Sequence, residues 1–447
     1  MRRKENMTYP RIPAFKQLTQ ELALYSQLKF EYGAKGVSKP LTDAEKALRS
    51  ALTELKRLPI DKELAKHEPN ALDQIQDLRP SGPRRMWTAF DKNAYGDRLE
   101  GALLGRMAGC ILGSAVEFWQ IDRMKALADA NGDEFPPVDY WSDVPNPQEL
   151  RYRMSRRREF TRNGMKGVPV DDDIIYTLLG LLIAEEHGPD FSIADAGKTW
   201  VKYLPYACTA EDVALKNLKK GIPANRVGST NNPYCEWIGA YIRADPWGYM
   251  APGWPERAAE MAYKDAYISH RRQGIYGEMF FAAAIAAAFA VDNPVEALRI
   301  GLSEIPKNCA MAKAVRWALR FAPDIRDYRQ ARAAMEKKFK GMHRTHTINN
   351  ACLTIWGITI GGKDFTKVIG ETVAMGMDND CTAATAGSIV GAVVGKRRIP
   401  KRWYSNFDNK IHSYLTGRKR FSISGVLKRF EKQARKVHGR PGVPCKS

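Results

Sequence analysis

The sequence has no Walker loop, no G-x-G-x-x-G fingerprint, no H-E-x-x-H and no G-x-S-x-G. These absences exclude the P-loop, dinucleotide-cofactor, zincin and α/β-hydrolase readings. The period-two apolar alternation of strands is also missing, which excludes a parallel sheet and leaves an all-α chain. Cysteine is sparse, with 7 in 447 residues, at 110, 208, 235, 309, 352, 381 and 445 and with no C-x-x-C pair. That odd, scattered set argues against a disulfide framework and against structural zinc, and fits reduced thiols in a cytoplasmic protein. Long apolar runs are lacking as well. The longest, Met279 to Val291, is too short for a bilayer and reads as a buried helix, so no membrane partner is expected. The opening residues, MRRKENMTYPRIPAF, hold no apolar secretory core. Acids are the minority charge, 50 against 70 Lys and Arg, for a net charge of +20. Such a balance fits anionic partners, with nucleic acid suggested by charge only, and equally a solubilising surface.

What the chain does have is an unusual stretch from Gly376 to Gly395, GMDNDCTAATAGSIVGAVVG. It opens with Asp378 and Asp380, then Cys381 and Thr382, and continues as a helix of small residues. Gly387, Gly391 and Gly395 are four apart, which puts them on one helical face. Each glycine costs a helix on the order of 1 kcal/mol against alanine, so the repeat points to a face where another backbone comes close. One Asp would be an ordinary N-cap. Two acids and a hydroxyl read as half of a site for a hard cation. A second glycine series, Gly101, Gly105, Gly109 and Gly113, lies in GALLGRMAGCILGSAVEFW, and the two helices are expected to pack together. Glu117 follows at the helix end, where it is either a delivered carboxylate or a solvated acid. Asp171-Asp172-Asp173 opens another buried helix and is the expected second half of the cation site. The alternative is an exposed acidic turn.

The remaining segments carry weaker signals. Residues 1–94 read as a helical accessory segment, with a capping box at Thr42-Asp43-Ala44-Glu45 and a linker at Pro80, Gly82 and Pro83. Residues 131–169, with the basic run Arg156-Arg157-Arg158, read as a long loop or lid. Asn231, Asn232, Tyr234, Trp237, Arg243, Trp247 and Tyr249 are either a nucleotide-sized pocket wall or core. His270 is a phosphate contact, an orienting partner of the acids or a core histidine. HTINN at 346–350 puts Asn349 or Asn350 in the site. The chain after Gly395 reads as basic surface helices and a loose tail.

With these pieces in view, the chain resembles the ADP-ribosylglycohydrolase family, of the dinitrogenase-reductase-activating type, from about 95 to 398. The resemblance rests on the glycine series ending in Glu117, the acidic triplet 171–173, H-x-x-x-G-I-Y-G at 270–277 and G-x-D-x-D-C at 376–381. It implies an all-α orthogonal multi-helix bundle at 95–400, with an extra N-terminal helical segment and basic C-terminal helices and tail at 401–447. It implies Mg²⁺, as a pair of ions with Mn²⁺ as a substitute, held by Asp171, Asp172, Asp173, Asp378, Asp380 and Thr382. Glu117 becomes the catalytic base or a mobile gate. Ser114, His270, Tyr276, Gly277 and Asn350 become substrate contacts. Aligning through Tyr176 and Thr177 sets Asp171 at the first threonine of the family's Thr-Asp-Asp-Thr motif and Ile174 at the last. The alternative register puts Val170 first and loses an oxygen. The implied reaction is hydrolysis of the N- or O-glycosidic ribose bond in an ADP-ribosylated protein or small ribosyl conjugate. Cys110, Ile174 and Cys381 stand where the family has Asp or Thr. They keep a second expectation in play, a catalytically silent protein that binds ADP-ribose or a nucleotide.

Overall fold

The computed structural model describes residues 9–144 and 157–439. It divides into two compact units, Met1–Lys66 and His67–Ser447. In the smaller unit, helices Phe15–Glu31 and Ser38–Arg57 are joined by a turn in which Gly33 and Gly36 take positive φ. Neither helix has a buried residue. An apolar groove runs between them, lined by Leu22, Ala23, Leu41, Leu48 and Leu52. The expected capping box is not one. The second helix already begins at Ser38, and the Thr42 hydroxyl donates to the Ser38 carbonyl at 3.0 Å.

The larger unit is helical apart from one small hairpin, Lys410–His412 paired antiparallel with Arg420–Ser422, among the described residues. Its centre is the pair of glycine helices, Lys92–Ser114 and Asn379–Val394. Asp91 caps the first, accepting from the Asn93 and Ala94 amides. A Cβ on Gly101 would come within 3.0 Å of the Gly391 carbonyl; one on Gly105 would do so at Gly387, and one on Gly109 at Ala383. The partner numbers fall as these rise, so the helices run antiparallel with their backbones in contact. Helix Gln273–Ala288 is buried along its whole length, and Thr347–Gly361 and Phe365–Ala374 complete the surrounding layer.

One segment sits differently from its sequence assignment. Residues 67–90, grouped above with the N-terminal helices, pack within the larger unit. Glu68 accepts from the Ala310 amide and pairs with Arg272, and Tyr276 donates its hydroxyl to the Pro69 carbonyl. Arg79 and Arg84, flanking the Pro/Gly stretch, both bond Glu304, which is fully buried. The last helix, Ile423–His438, lies at the surface with Lys428, Lys432, Arg435 and Lys436 exposed and packs its other face inward, burying Val426, Phe430, Ala434 and Val437. Phe430 meets Tyr249 edge-on at 5.4 Å. The expected loose tail lies outside the described residues.

The Glu304 pairing yields a prediction. A chain starting at His67 should retain the fold of the larger unit. A chain starting at Thr88 leaves Glu304 buried without either arginine, which should cost on the order of 3–5 kcal/mol. Denaturant melts of both truncations check this, and equal midpoints would show that the arginines hold nothing.

Candidate metal and active site

The glycine contact ends where the chemistry begins. A Cβ on Gly113, the last of its series, would lie within 3.0 Å of the Asp380 Cα and amide. The close approach of the two helices therefore sets the position of the second acidic loop against the first glycine helix. One turn further on, Phe118 and Met377 both adopt positive φ, and the Phe118 amide donates to the Met377 carbonyl at 3.1 Å. Left-handed backbone at non-glycine residues costs energy and persists where the surroundings enforce it. Here it turns Glu117 and Asp378 toward each other.

The carboxylates then converge in three overlapping groups. Glu117, Asp378 and Asp380 have ligand atoms within 4.8 Å of one another, as do Asp173, Asp380 and Cys381, and Cys110, Asp171 and Asp173. Asp171 is the N-cap of helix Asp172–His187, accepting from the Asp173 amide, and its other oxygen accepts from the Ser114 hydroxyl at 2.7 Å. Asp378 occupies the N-cap position of the second glycine helix but makes no capping bond, so its carboxylate is committed to the cluster. The Asn350 side-chain oxygen accepts from the Asp378 amide at 3.4 Å, while its NH₂ donates to the Arg344 and His346 carbonyls. The Asp380 Oδ1 is buried with no hydrogen-bond partner. An orphaned buried carboxylate oxygen inside a ring of carboxylates is what a divalent cation would satisfy, so the residues fit one.

Electrostatics agree with that fit. Burial, then the Asp380, Asp171 and Asp172 carboxylates, push Glu117 up to about 9. Burial and Asp171 push Asp380 up to about 7. Burial, Asp380 and Glu117 hold Asp378 well above the carboxylate range. The unfolded chain ionises these groups near pH 4. Between there and about pH 9 the folded, metal-free protein therefore binds more protons than the unfolded chain. Its stability is full in acid and falls as pH rises through that window. Adding Mg²⁺ should flatten the dependence, because a bound cation replaces the protons. Melts from pH 5 to 9 with EDTA and with Mg²⁺ check it, and parallel curves would contradict it.

The ADP-ribosylglycohydrolase family model matches residues 91–435. The chain belongs to the ADP-ribosylglycohydrolase family. It is accordingly a glycosidic-bond hydrolase, of a metal-dependent family that acts on ADP-ribosylated substrates. A solved structure titled "ADP-ribosylglycohydrolase-related protein complex" is similar at 18% identity and a TM-score of 0.48, covering 78% of this chain and 99% of that one. No curated protein matches the sequence. Among the described residues, no helix is long and apolar enough to cross a membrane.

Against the family motifs, the structure brings Glu117, Ser114, Asp171, Asp173, Asp378, Asp380 and Asn350 together as described above. Asp172 is half-buried beside them, held well above the carboxylate range by burial, Asp171 and Asp380. Ile174 is buried, and its side chain carries no ligand atom. The Thr382 hydroxyl donates back to the Asn379 carbonyl at 3.4 Å. Three other expected contacts are engaged elsewhere. His270 is enclosed, with Nδ1 against the Ser269 hydroxyl at 2.8 Å. Burial, Arg243 and Arg271 depress it well below the usual range, so it is a neutral core imidazole and no phosphate cation. Tyr276 reaches Pro69, and Gly277 makes room for the Thr347 methyl.

Of the aromatic segment, read as either pocket wall or core, Asn232, Arg243, Trp247 and Tyr249 are core. Arg243 is buried in a network with Glu211, Asp265 and Glu278, Trp247 donates to Glu278, and Tyr249 donates to Asp245. Sequence reasoning passed over Arg106, which donates to Asp173 Oδ1 at 3.0 Å and to Asp245 at 2.6 Å with no exposure. A lone arginine inside an apolar glycine helix was the available signal. Also missed was a cationic aromatic rim following Glu117. The Arg123 guanidinium lies 3.6 Å from the Trp119 ring centre, Arg157 lies 5.6 Å from the same ring, and Arg344 lies 4.1 Å from Phe118. Of the basic run, Arg156 lies outside the described residues.

Proposed function

We propose that this family member is a Mg²⁺-dependent hydrolase of the dinitrogenase-reductase-activating type. It would act in the cytoplasm on the ribosyl bond of ADP-ribosylated proteins or small ribosyl conjugates. The observation that most supports this reading is the convergence of Glu117 with Asp378 and Asp380 around an unpartnered buried oxygen. Asp171, Asp172, Asp173, Asp378 and Asp380 would hold the cations, with Ser114, Asn350 and Arg106 fixing the carboxylates in place. Bound Mg²⁺ supplies Lewis acidity toward ribose oxygens.

The chain's own residues do the rest. Glu117, ionised once a cation would offset the carboxylates that raise it, accepts the proton of the attacking water as the anomeric carbon gains oxocarbenium character, which the surrounding carboxylates stabilise. Arg123, Arg157 and Arg344, on the aromatic faces of Trp119 and Phe118, suit the diphosphate and adenine of an ADP-ribosyl group.

Glu117→Gln is expected to lower turnover on the order of 10²-fold or more. It should not lower the melting temperature, since Gln is neutral and close in shape to the carboxyl that burial and its neighbours push up to about 9. The check is a panel of labelled ADP-ribosyl substrates, on arginine, serine, nucleic acid and small acceptors, with and without Mg²⁺. Binding of ADP-ribose without turnover on any of them would support the silent binding protein instead.

A further inference from the structure

We infer that the two of the three ligand groups that share Asp380 are cation positions of different chemistry. The outer one is oxygen-only, for a hard ion such as Mg²⁺. The inner one, between Asp173, Asp380 and Cys381, includes a thiolate and takes a borderline divalent cation such as Zn²⁺ or Co²⁺. This rests on the divalent-cation reading of the site and specifies which ion each part of it holds.

The outer group, Glu117, Asp378 and Asp380, has carboxylates alone. Mg²⁺ demands hard oxygens and dehydrates reluctantly, which suits this more open side where Glu117 is half-buried. The inner group differs in its sulfur ligand and in having no half-buried member, although Asp378 of the outer group is itself 2% exposed. Asp173 has no exposure, Asp380 is 5% exposed and Cys381 is 7% exposed. The Cys381 Sγ lies 3.2 Å from Asp173 Oδ2. That geometry is not left to chance. Arg106 holds the other Asp173 oxygen and donates twice more to the Asp173 backbone carbonyl, so Oδ2 is aimed at the sulfur. Such outer hydrogen bonds orient metal ligands and tune which ion they accept.

A buried thiol donating to a carboxylate would by itself be ordinary packing. The further observation is the Asp380 Oδ1, buried without a partner on the one residue that the two groups share. Asp380 belongs to both groups, so its two oxygens can serve both positions. The neighbouring Thr382 hydroxyl donates to the Asn379 carbonyl, within its own helix turn. Thiolate sulfur selects zinc-like ions and is a poor partner for Mg²⁺. Binding there converts the Cys381 thiol to thiolate, and its proton leaves to solvent.

The test uses the full chain, stripped of metal and titrated with Co²⁺ in excess Mg²⁺. The readout is the near-ultraviolet sulfur-to-cobalt charge-transfer absorption. The expected result is a band that saturates at one equivalent and survives excess Mg²⁺. It should vanish in both Cys381→Ser and Cys381→Thr and persist in Cys110→Ser and Glu117→Gln. Each variant is melted with and without Mg²⁺ to establish that it is folded. A Co²⁺ complex without the band, or a band that survives both Cys381 substitutions, overturns the thiolate position. If Mg²⁺ still raises the melting temperature in that case, the proposed hydrolase site stands. A chain that binds neither ion overturns both.

Discussion

Gly113→Ala is expected to remove the protein's response to divalent cations along with part of its stability. The added Cβ would fall within 3.0 Å of the Asp380 Cα and amide, and neither atom can swing aside as a side-chain tip would. Relief requires the two helices to separate or the acidic loop to shift. Overpacking of this kind costs about 1–3 kcal/mol. The same displacement moves Asp380 away from Glu117 and Asp173, whose ligand atoms now lie within 4.8 Å of its own.

Two comparisons isolate the effect. Gly105→Ala meets the Gly387 backbone two turns from the loop, so it should lose similar stability yet still be stabilised by Mg²⁺. Gly96→Ala, in the same helix with nothing within 4 Å of its Cβ, should be neutral or gain up to about 1 kcal/mol of helix propensity. Melts of all three with and without Mg²⁺ are the measurement. A Gly113→Ala protein that responds to Mg²⁺ like the wild type would show that the loop is positioned by something other than this contact.

The features legible in the sequence are those that repeat along one chain segment. Glycines four apart imply a close helix face whichever partner supplies the other backbone, and the two series proved to face each other. Carboxylates bunched at helix starts imply a charge problem that folding must solve. What could not be read were pairings between distant segments. Nothing near Asp173 in sequence announces Arg106 or Cys381. Pro80, Gly82 and Pro83 have linker composition, yet Arg79 and Arg84 on either side reach the buried Glu304. The last helix hid its buried stripe, Val426, Phe430, Ala434 and Val437, among lysines and arginines, although the spacing is helical. His270 stayed ambiguous because burial, not sequence, decides whether an imidazole is a cation.

Asp380→Asn carries the other large effect. Asp380 is the residue common to the outer and inner ligand groups, and its Oδ1 has no protein partner. Removing its charge takes a ligand from both positions at once. It also relieves repulsion on Glu117 and Asp378, since the Asp380 carboxylate is the largest electrostatic contribution raising each. The variant should therefore be no less stable than the metal-free wild type while losing what cations add. For an ion that binds only the folded state, that addition is about 2.7 kcal/mol at a hundredfold excess over the dissociation constant. Most substitutions at buried, functional carboxylates destabilise, so an apo protein that holds or gains stability is a distinctive outcome. The most direct measurement is a thermal melt of wild type and Asp380→Asn across an Mg²⁺ titration, each reversed with EDTA. The expected result is a wild-type melting temperature that climbs with Mg²⁺ and returns with EDTA, beside a flat Asp380→Asn that starts no lower. A wild-type melt indifferent to Mg²⁺, with Asp380→Asn matching it throughout, would contradict the shared cation site.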